Sequence, residues 1–231
     1  MLVAHRGFRS AKGENRLIDF IDALKVVKAV EFDVRLTHDK KVVIFHDYNF
    51  ARIGKFNEKV KNLTYKQIKN LPFFIKNKQW IPTLLSDFKK LIGDKYEFIN
   101  IEIKPDYYSD KDYEIIFNQI HQFKSLKAEI VVSSFSKKDQ VQILKLDNRF
   151  KKGYLFEKMS HFNENWAKNF DYIHPPISVI NRQRNYTYFK AFNKPMNPWT
   201  YKRNSQAQKS HRLYGKLIHG YISDKQDLKI E

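Results

Sequence analysis

EFDVRLTHDKKVVIFHD, residues 31 to 47, contains two runs of β-branched and aromatic residues that carry two acids and end in a histidine. Glu31 and Asp33 lie two residues apart in the first run, and His46 closes the second. Charged side chains are seldom buried without a partner. Acids within a strand therefore indicate either a solvated strand edge or a site that holds a cation, and the second interpretation predicts a cation at the mouth of an α/β barrel.

The composition predicts a globular protein with a single core. The chain has 231 residues, of which 42% are hydrophobic and 15% aromatic, enough for one full-sized α/β domain. No apolar run approaches the ~18 residues of a membrane-spanning helix, and the opening MLVAHRG is typical of a strand and not of a secretory leader. We therefore expect a cytoplasmic location. Because there is no cysteine, a metal site would need carboxylate, histidine or carbonyl ligands.

The net charge of +18 raises the question of a nucleic-acid ligand. The lysines are scattered over every segment, and no zinc-finger, helix-turn-helix or RNP-type motif is present. A solvated basic surface is the simplest interpretation. Beyond it, the charge favours diffuse attraction of anionic substrates or of an anionic membrane surface over specific nucleic-acid binding.

Short β-rich runs alternate with amphipathic stretches along most of the chain, which is typical of βα units around a parallel sheet. If residues 41–46 are counted as the third strand, we predict eight strands, and a closed (β/α)8 barrel is favoured over an open doubly wound sheet. Residues 47–82 interrupt the alternation. We expect them to form a small capping insertion within one domain that spans residues 1–231.

Acidic and basic side chains fall at the predicted carboxyl ends of the strands, where barrels of this type carry their chemistry. Glu31 and Asp33 share one face of a strand, with Cβ atoms about 7 Å apart, and Glu102 ends the next predicted strand after the insertion. Three carboxylates favour a hard divalent ion, Mg2+ or Ca2+, over zinc. Lys104 shares the face of Glu102 and would lie beside an anionic group.

Two histidines, His5 and His46, also end predicted strands, and we interpret them as an acid/base pair. His38 and His174 stay open as candidates near the mouth, whereas the other histidines are expected to be structural. No P-loop, GxGxxG or G-x-S-x-G motif is present. A divalent ion, two histidines and a basic cleft point to phosphoester hydrolysis.

An ordered set of short motifs resembles the glycerophosphodiester phosphodiesterase family over nearly the full length. HRG with Glu14-Asn15 resembles the family's opening motif, and EFDVRLTHD resembles its metal-binding strand. The motifs that follow, in the family's order, are VVIFHD, IPTLLSDF, INIEIKP, VVSSFS, NPWT and GYISD.

The resemblance implies a TIM barrel with a small insertion after the third strand, and it assigns roles to nine residues. It implies that His5 and His46 are the acid/base pair. The implied metal ligands are Glu31, Asp33 and Glu102, and the implied phosphate contacts are Arg6 and Lys104. Glu14 matches a residue beside the metal and the substrate, and Trp199 matches an aromatic residue in the glycerol pocket.

We therefore predict a metal-dependent phosphodiesterase that cleaves glycerophosphodiesters, such as deacylated phospholipid head groups, to glycerol 3-phosphate and an alcohol. Attack by water and closure of a cyclic phosphate by the glycerol hydroxyl both remain open. A first alternative is lysophospholipase D activity, with an apolar groove formed by Phe73, Phe74 and Trp80, although these residues are also expected simply to pack the insertion. A second is a catalytically silent barrel that binds or regulates. The head group, the ion and the oligomeric state are not predicted.

Overall fold

Strands and helices alternate along the chain, and the computed structural model describes all of residues 1–231. Its strands are β1 (Leu2–His5), β2 (Ala29–Leu36), β3 (Val42–Ile44), β4 (Asn49–Phe50), β5 (Phe56–Lys59), β6 (Thr83–Leu84), β7 (Phe98–Ile103), β8 (Glu129–Ser134), β9 (Phe150–Leu155), β10 (Tyr172–His174) and β11 (Tyr221–Ser223). Its α-helices are α1 (Leu17–Ala23), α2 (Ala51–Gly54), α3 (Tyr65–Lys69), α4 (Pro72–Lys76), α5 (Leu85–Ile92), α6 (Asp110–His121), α7 (Lys137–Ile143), α8 (Glu164–Ala167), α9 (Ile177–Ile180), α10 (Gln183–Phe192) and α11 (Asn204–Tyr214). A helix with the length and apolar character needed to cross a membrane is not found.

The central sheet closes into a parallel barrel. Its strands lie in the order β10, β9, β8, β7, β2, β1, β11. Residues 196–201 fill the gap between β10 and β11 through isolated parallel bridges, among them Ile173 to Met196 and Tyr201 to Ser223. Pro198 within this segment lacks an N–H group, so a regular ladder cannot form there. With this segment the ring has eight parallel members, and the predicted barrel is confirmed.

The strand β3 is third in the chain but is not a member of the ring. It runs antiparallel to β2, with Val34 opposite Ile44 and Leu36 opposite Val42. Counting residues 41–46 as a barrel strand is therefore wrong. The physical reason lies in the short THDK turn, because a parallel partner would need a crossover of a dozen or more residues. The barrel reaches eight members through residues 196–201 and β11 instead.

Residues 47–82 leave the barrel after β3 and form an apolar cluster together with Val43 and Phe45. The hairpin β4–β5 and the helices α2, α3 and α4 lie within this segment. Phe50 and Phe74 meet edge to face at 5.6 Å, and both are fully buried. The segment rejoins the barrel through β6, which pairs antiparallel with β3.

The inward-facing side chains form layers along the barrel axis. The lower layer is apolar and consists of Val3, Ala29, Phe98, Val131, Tyr172 and Ile222. Since strand side chains alternate with a period of two, the residue two positions further along each strand points inward as well. This upper layer is polar and consists of His5, Glu31, Asn100, Ser133, His174 and Asp224. The same rule puts Asp33 and Glu102 one step nearer the mouth.

Helices cover the outside of the barrel through their apolar faces. Phe20 of α1, Phe32 of β2 and Phe88 of α5 form an aromatic trio with ring centroids 4.6 to 5.6 Å apart. All three side chains are fully buried, and each burial contributes about 1.5–3 kcal/mol. The polar mouth therefore rests on a rigid, closely packed frame.

Candidate active site

A cavity of about 640 Å3 opens at the carboxyl ends of the barrel strands. This catalytic cavity has the size of a typical small-molecule site. Eight of the nine residues predicted for the site line it or lie directly beneath it, and only Glu14 belongs to a neighbouring cavity. The lining includes His5, Arg6, Glu31, His46, Glu102, Lys104 and Trp199.

Three buried carboxylates meet at the floor of the catalytic cavity. One oxygen each of Glu31, Asp33 and Glu102 lies within 4.8 Å of the others, and Asp33 is fully buried. Adjacent strands produce this arrangement, because Asp33 on β2 lies opposite Glu102 on β7. Burial, together with the charges of Asp33 and Glu102, raises the pKa of Glu31 well above its usual range.

Two cations lie beside the carboxylates. Nε of Arg6 is 3.0 Å from an oxygen of Asp33. Nζ of Lys104 donates to Glu102 at 2.6 Å and is 3.6 Å from Asp33. Burial alone would raise the pKa of Asp33, but the charges of Arg6 and Lys104 outweigh it and hold that pKa well below the usual range. The negative charges of Asp33 and Glu102 are therefore partly neutralised by these cations, and the charge of Glu31 is the least neutralised of the three.

His5 is held by a carboxylate that the sequence analysis did not assign. Its Nδ1 lies 2.5 Å from Oδ1 of Asp224, while its Nε2 is 3.8 Å from Glu31. An ionised carboxylate can only accept a hydrogen bond, so Nδ1 carries the proton and Nε2 is left to exchange one. Burial lowers the pKa of His5. The hydrogen bond to Asp224 acts to raise this pKa but does not outweigh the effect of burial. The only sequence signal for Asp224 was its place directly after the last strand, in GYISD.

His46 has the same kind of partner. Its Nδ1 is 2.7 Å from Asp47, and Arg35 donates to its backbone carbonyl at 3.0 Å. Asp47 also accepts from Nε of Arg52, on α2, at 2.7 Å. Burial alone would raise the pKa of Asp47, but the hydrogen bonds from His46 and Arg52 outweigh it and lower that pKa. The insertion thus supplies a side chain that fixes the partner of His46.

Glu14 is enclosed by three guanidinium groups. It accepts from Arg6 at 3.0 Å, from Arg9 at 2.9 Å and from Arg52 at 2.7 Å. Burial alone would raise its pKa, but the hydrogen bond from Arg52 and the charge of Arg6 are among the interactions that lower it to about 2. Glu14 is not among the three acids that meet at the floor. Its carboxylate instead binds the three arginines and holds them at the entrance to the site.

The loop after β1 is tightly wound. Arg6, Gly7 and Asn15 all have positive φ, at 53°, 75° and 58°. A Cβ atom on Gly7 would lie 2.8 Å from the backbone of Asp19, which explains why glycine occupies this position. The turn lets the amide of Asn15 donate to Asp33 at 2.8 Å. Asn15 therefore orients a candidate metal ligand, a role that its presence in the opening motif did not reveal.

One wall of the catalytic cavity is aromatic, and a neutral histidine lies beneath it. The rings of Trp199 and Phe135 meet edge to face at 5.4 Å, and Nε1 of Trp199 donates to the backbone oxygen of His174 at 2.9 Å. His174 is fully buried, and burial lowers its pKa to about 3. His38, the other open candidate, is exposed and contributes only a backbone contact to Leu63.

The donor set at the floor fits a hard divalent cation. It consists of three carboxylates and no sulfur or imidazole, and Oδ1 of Asp33 is buried without a hydrogen-bond partner. A cation between these oxygens would satisfy that atom and remove the repulsion that raises the pKa of Glu31. The oxygen ligands match the preference of Mg2+ and Ca2+.

Comparison with known proteins agrees with the geometry. The model of the glycerophosphoryl diester phosphodiesterase family matches residues 5–228. An uncharacterised protein of Mycoplasma genitalium is 30% identical over all of this chain and 98% of its own length. A glycerophosphodiester phosphodiesterase of Caldanaerobacter subterraneus is 30% identical over 68% of this chain and 67% of its own. The structure of an Oleispira antarctica phosphodiesterase with its product sn-glycerol-3-phosphate superposes with a TM-score of 0.82 at 21% identity, covering 100% of this chain and 94% of that one.

Proposed function

The chain belongs to the glycerophosphoryl diester phosphodiesterase family, and from this premise we propose that it hydrolyses glycerophosphodiesters to glycerol 3-phosphate and an alcohol. In the proposal, a divalent cation lies between Glu31, Asp33 and Glu102, and His5 and His46 exchange the protons. The family resemblance predicted from the sequence is confirmed by the family match.

The observation that carries the proposal is the convergence of unlike groups in one cavity. Three buried carboxylates within 4.8 Å of one another, two cations and two histidines all meet at the same barrel mouth. A barrel that only bound ligands would have no need for two imidazoles, each with its Nδ1 held by an aspartate. A catalytic role accounts for both pairs, because each leaves Nε2 free to accept or donate a proton.

Each side chain has a distinct part in the proposed reaction. The phosphate of the substrate would take the guanidinium of Arg6 and the ammonium of Lys104 as charge partners, in competition with the acids that they contact here. One histidine accepts the proton of the attacking oxygen, and the other donates a proton to the oxygen of the departing alcohol. Asp224 and Asp47 hold these rings in orientation. Trp199 and Phe135 would bind the carbon skeleton of the glycerol.

The cation, held by Glu31, Asp33 and Glu102, would supply Lewis-acid stabilisation of the negative charge on the phosphate. Either Mg2+ or Ca2+ suits these ligands. Lys104 and Arg6, which lie beside the same carboxylates, would share that task. Asn15 would keep the Asp33 carboxylate in position through its hydrogen bond.

The same proposal gives residues 47–82 a role as a cap over one side of the mouth, within a single domain of residues 1–231. Arg52 supports it, because this side chain reaches from α2 to both Glu14 and Asp47. Phe74 is buried within the insertion, so the apolar groove of the lysophospholipase D alternative would have only Phe73 and Trp80 of the three aromatic residues named for it.

The test is release of glycerol 3-phosphate from glycerophosphocholine and glycerophosphoglycerol, with EDTA, Mg2+ or Ca2+. His5→Ala and His46→Ala should each lower turnover by about 100-fold or more, with unchanged circular dichroism. His161→Ala, which alters a histidine outside the catalytic cavity, is the matched control. Equal rates in EDTA and metal, or normal rates in both histidine variants, would contradict the proposal. Metal binding without turnover would favour the silent-barrel alternative.

A further inference from the structure

A second cavity of about 600 Å3 adjoins the catalytic cavity and is strongly basic. Five cationic side chains and only two carboxylates, Glu14 and Asp224, line it. We name it the basic cavity, and its cations are Arg9, Arg52, Lys55, Lys202 and Lys225. The ring of Trp80 contributes part of the wall. Arg9 and Arg52 enclose Glu14, but none of the three lysines has a role in the site described above.

The carboxylates within the basic cavity do not neutralise it. Glu14 is shared among three arginines, and Asp224 is paired with His5. Lys225 has a partner in Asp227. Lys55 contacts only the backbone oxygen of Arg52, and Lys202 forms no ion pair. The basic cavity therefore has an uncompensated positive charge, with two ammonium groups that lack an ion-pair partner.

The two cavities are continuous at the acid/base centre. Both are lined by Arg9, Lys202 and Asp224, and Asp224 is the residue that holds His5. Trp199 and Phe135 line the catalytic cavity and not the basic cavity. A phosphodiester whose glycerol lies against these rings therefore has its other arm directed past His5 toward the basic cavity.

We propose that the basic cavity binds the alcohol arm of the substrate and selects an arm that carries a phosphate group of its own. The assignment of this cavity as a head-group subsite rests on the proposed function. Phosphate suits the site because arginine forks bind its oxygens in pairs and lysine adds point charges. A quaternary ammonium arm such as choline would be repelled by the same charges. The Arg16 guanidinium covers one face of the Trp80 ring at 4.4 Å, so an inositol-like alcohol would pack against the part of the ring that lines the basic cavity.

The test compares two substrates that differ by one phosphate, glycerophosphoinositol and glycerophosphoinositol 4-phosphate, through kcat/KM for release of glycerol 3-phosphate. The wild type should prefer the phosphorylated substrate by about tenfold or more in kcat/KM. The extra phosphate forms charge-assisted hydrogen bonds, which are stronger than hydrogen bonds between neutral groups. Lys55→Asn should reduce this ratio by about threefold or more, as should Lys202→Gln. Asparagine suits position 55 because Lys55 has φ of 56°, a conformation that asparagine tolerates.

Lys145→Gln is the matched control, since this exposed lysine lies outside both cavities, and the ratio should not change. A wild-type ratio near one, or equal losses on both substrates in the Lys55 and Lys202 variants, would overturn the subsite. Stronger salt dependence for the phosphorylated substrate is also expected.

Calorimetric titration with inositol 4-phosphate and with inositol separates this proposal from the proposed function. The subsite is supported if the wild type binds inositol 4-phosphate but not inositol, and if the double variant Lys55→Asn with Lys202→Gln loses this binding. This result would hold even if no diester is hydrolysed. Binding that the double variant retains would overturn the subsite, because the ester would then be held at Arg6 and Lys104. If no diester releases glycerol 3-phosphate with any metal, the proposed function is contradicted. The calorimetric result would then decide whether the subsite exists.

Discussion

Replacing Glu31 with glutamine should stabilise the metal-free protein and abolish most of the stabilisation that a divalent cation provides. The amide keeps the shape of the side chain and removes one of three carboxylates that lie within 4.8 Å of one another. Arg6 and Lys104 compensate Asp33 and Glu102 directly, whereas the Glu31 carboxylate accepts a hydrogen bond only from the backbone N–H of Arg6, at 3.2 Å. Glu31 is therefore the acid whose removal relieves the most repulsion.

The magnitude follows from Coulomb's law. Two unit charges at the 4.8 Å limit repel by about 3.5 kcal/mol at an effective dielectric constant of about 20. The nearby cations offset part of this, so we expect the free energy of unfolding to rise by about 2 kcal/mol. In a chain of 231 residues such a gain raises Tm by roughly 4–8 °C.

The effect should depend on pH with a definite sign. Burial and the charges of Asp33 and Glu102 raise the pKa of Glu31 in the folded protein, so the unfolded chain loses this proton first. The contribution of Glu31 to the stability of the metal-free wild type therefore falls as the pH rises above about 4.5, the ordinary pKa of this side chain in the unfolded chain. Glu31→Gln lacks this loss, and its advantage over the wild type should be larger at pH 8 than at pH 5.

The assay is thermal and urea unfolding in EDTA and with excess Mg2+ or Ca2+, at both pH values. Metal at about 100 times its Kd should stabilise the wild type by about 2.7 kcal/mol and the variant by much less. Glu114→Gln, at an exposed position outside the site, is the control and should behave as the wild type does. A variant that is less stable than the wild type in EDTA, yet gains as much from metal, would refute the reasoning.

Three further outcomes are expected. Asp224→Asn should lower kcat by about tenfold or more with little change in KM, because the amide no longer fixes the proton on Nδ1 of His5 at 2.5 Å; a kcat equal to that of the wild type would exclude a positioning role. Gly7→Ala should reduce the free energy of unfolding by about 2–4 kcal/mol, since the new methyl meets the Asp19 backbone at 2.8 Å and φ is 75°, and urea melts that match the wild type would disprove the close contact. His174 should remain neutral from pH 5 to pH 8 in NMR titrations, because burial lowers its pKa to about 3, and a midpoint near 6 would contradict its burial.

Most of the residues that meet in the candidate site could be predicted from the sequence, because they follow local rules. Glu31 and Asp33 share a face through the two-residue strand period, and Lys104 follows Glu102 by the same rule. The pairing of His5 with Asp224 could not be predicted in this way, because 219 positions separate the two residues and only closure of the ring brings them together.

The wrong prediction of residues 41–46 as a barrel strand has a different cause. The apolar run before His46 is equally compatible with a parallel or an antiparallel strand, and only the length of the preceding turn distinguishes them. The barrel member at residues 196–201 is hard to recognise because Pro198 interrupts its ladder. The arginine cage around Glu14 depends on Arg52, whose place in space is set by the packing of the insertion and not by any local pattern.

The antiparallel pairing of β3 with β2 and β6 has a consequence for how this protein can be engineered. Both attachment points of residues 47–82 belong to strands outside the ring, so exchanging this segment leaves the stagger and closure of the barrel untouched. His46 lies just before the first attachment point, and a graft must reproduce the contacts that tie the segment to the rest of the protein, among them the ion pairs of Arg52 with Glu14 and of Lys61 with Asp106. Exchange of this one segment would change the part of the basic cavity that Arg52 and Lys55 form and would leave Arg9, Lys202 and Lys225 in place.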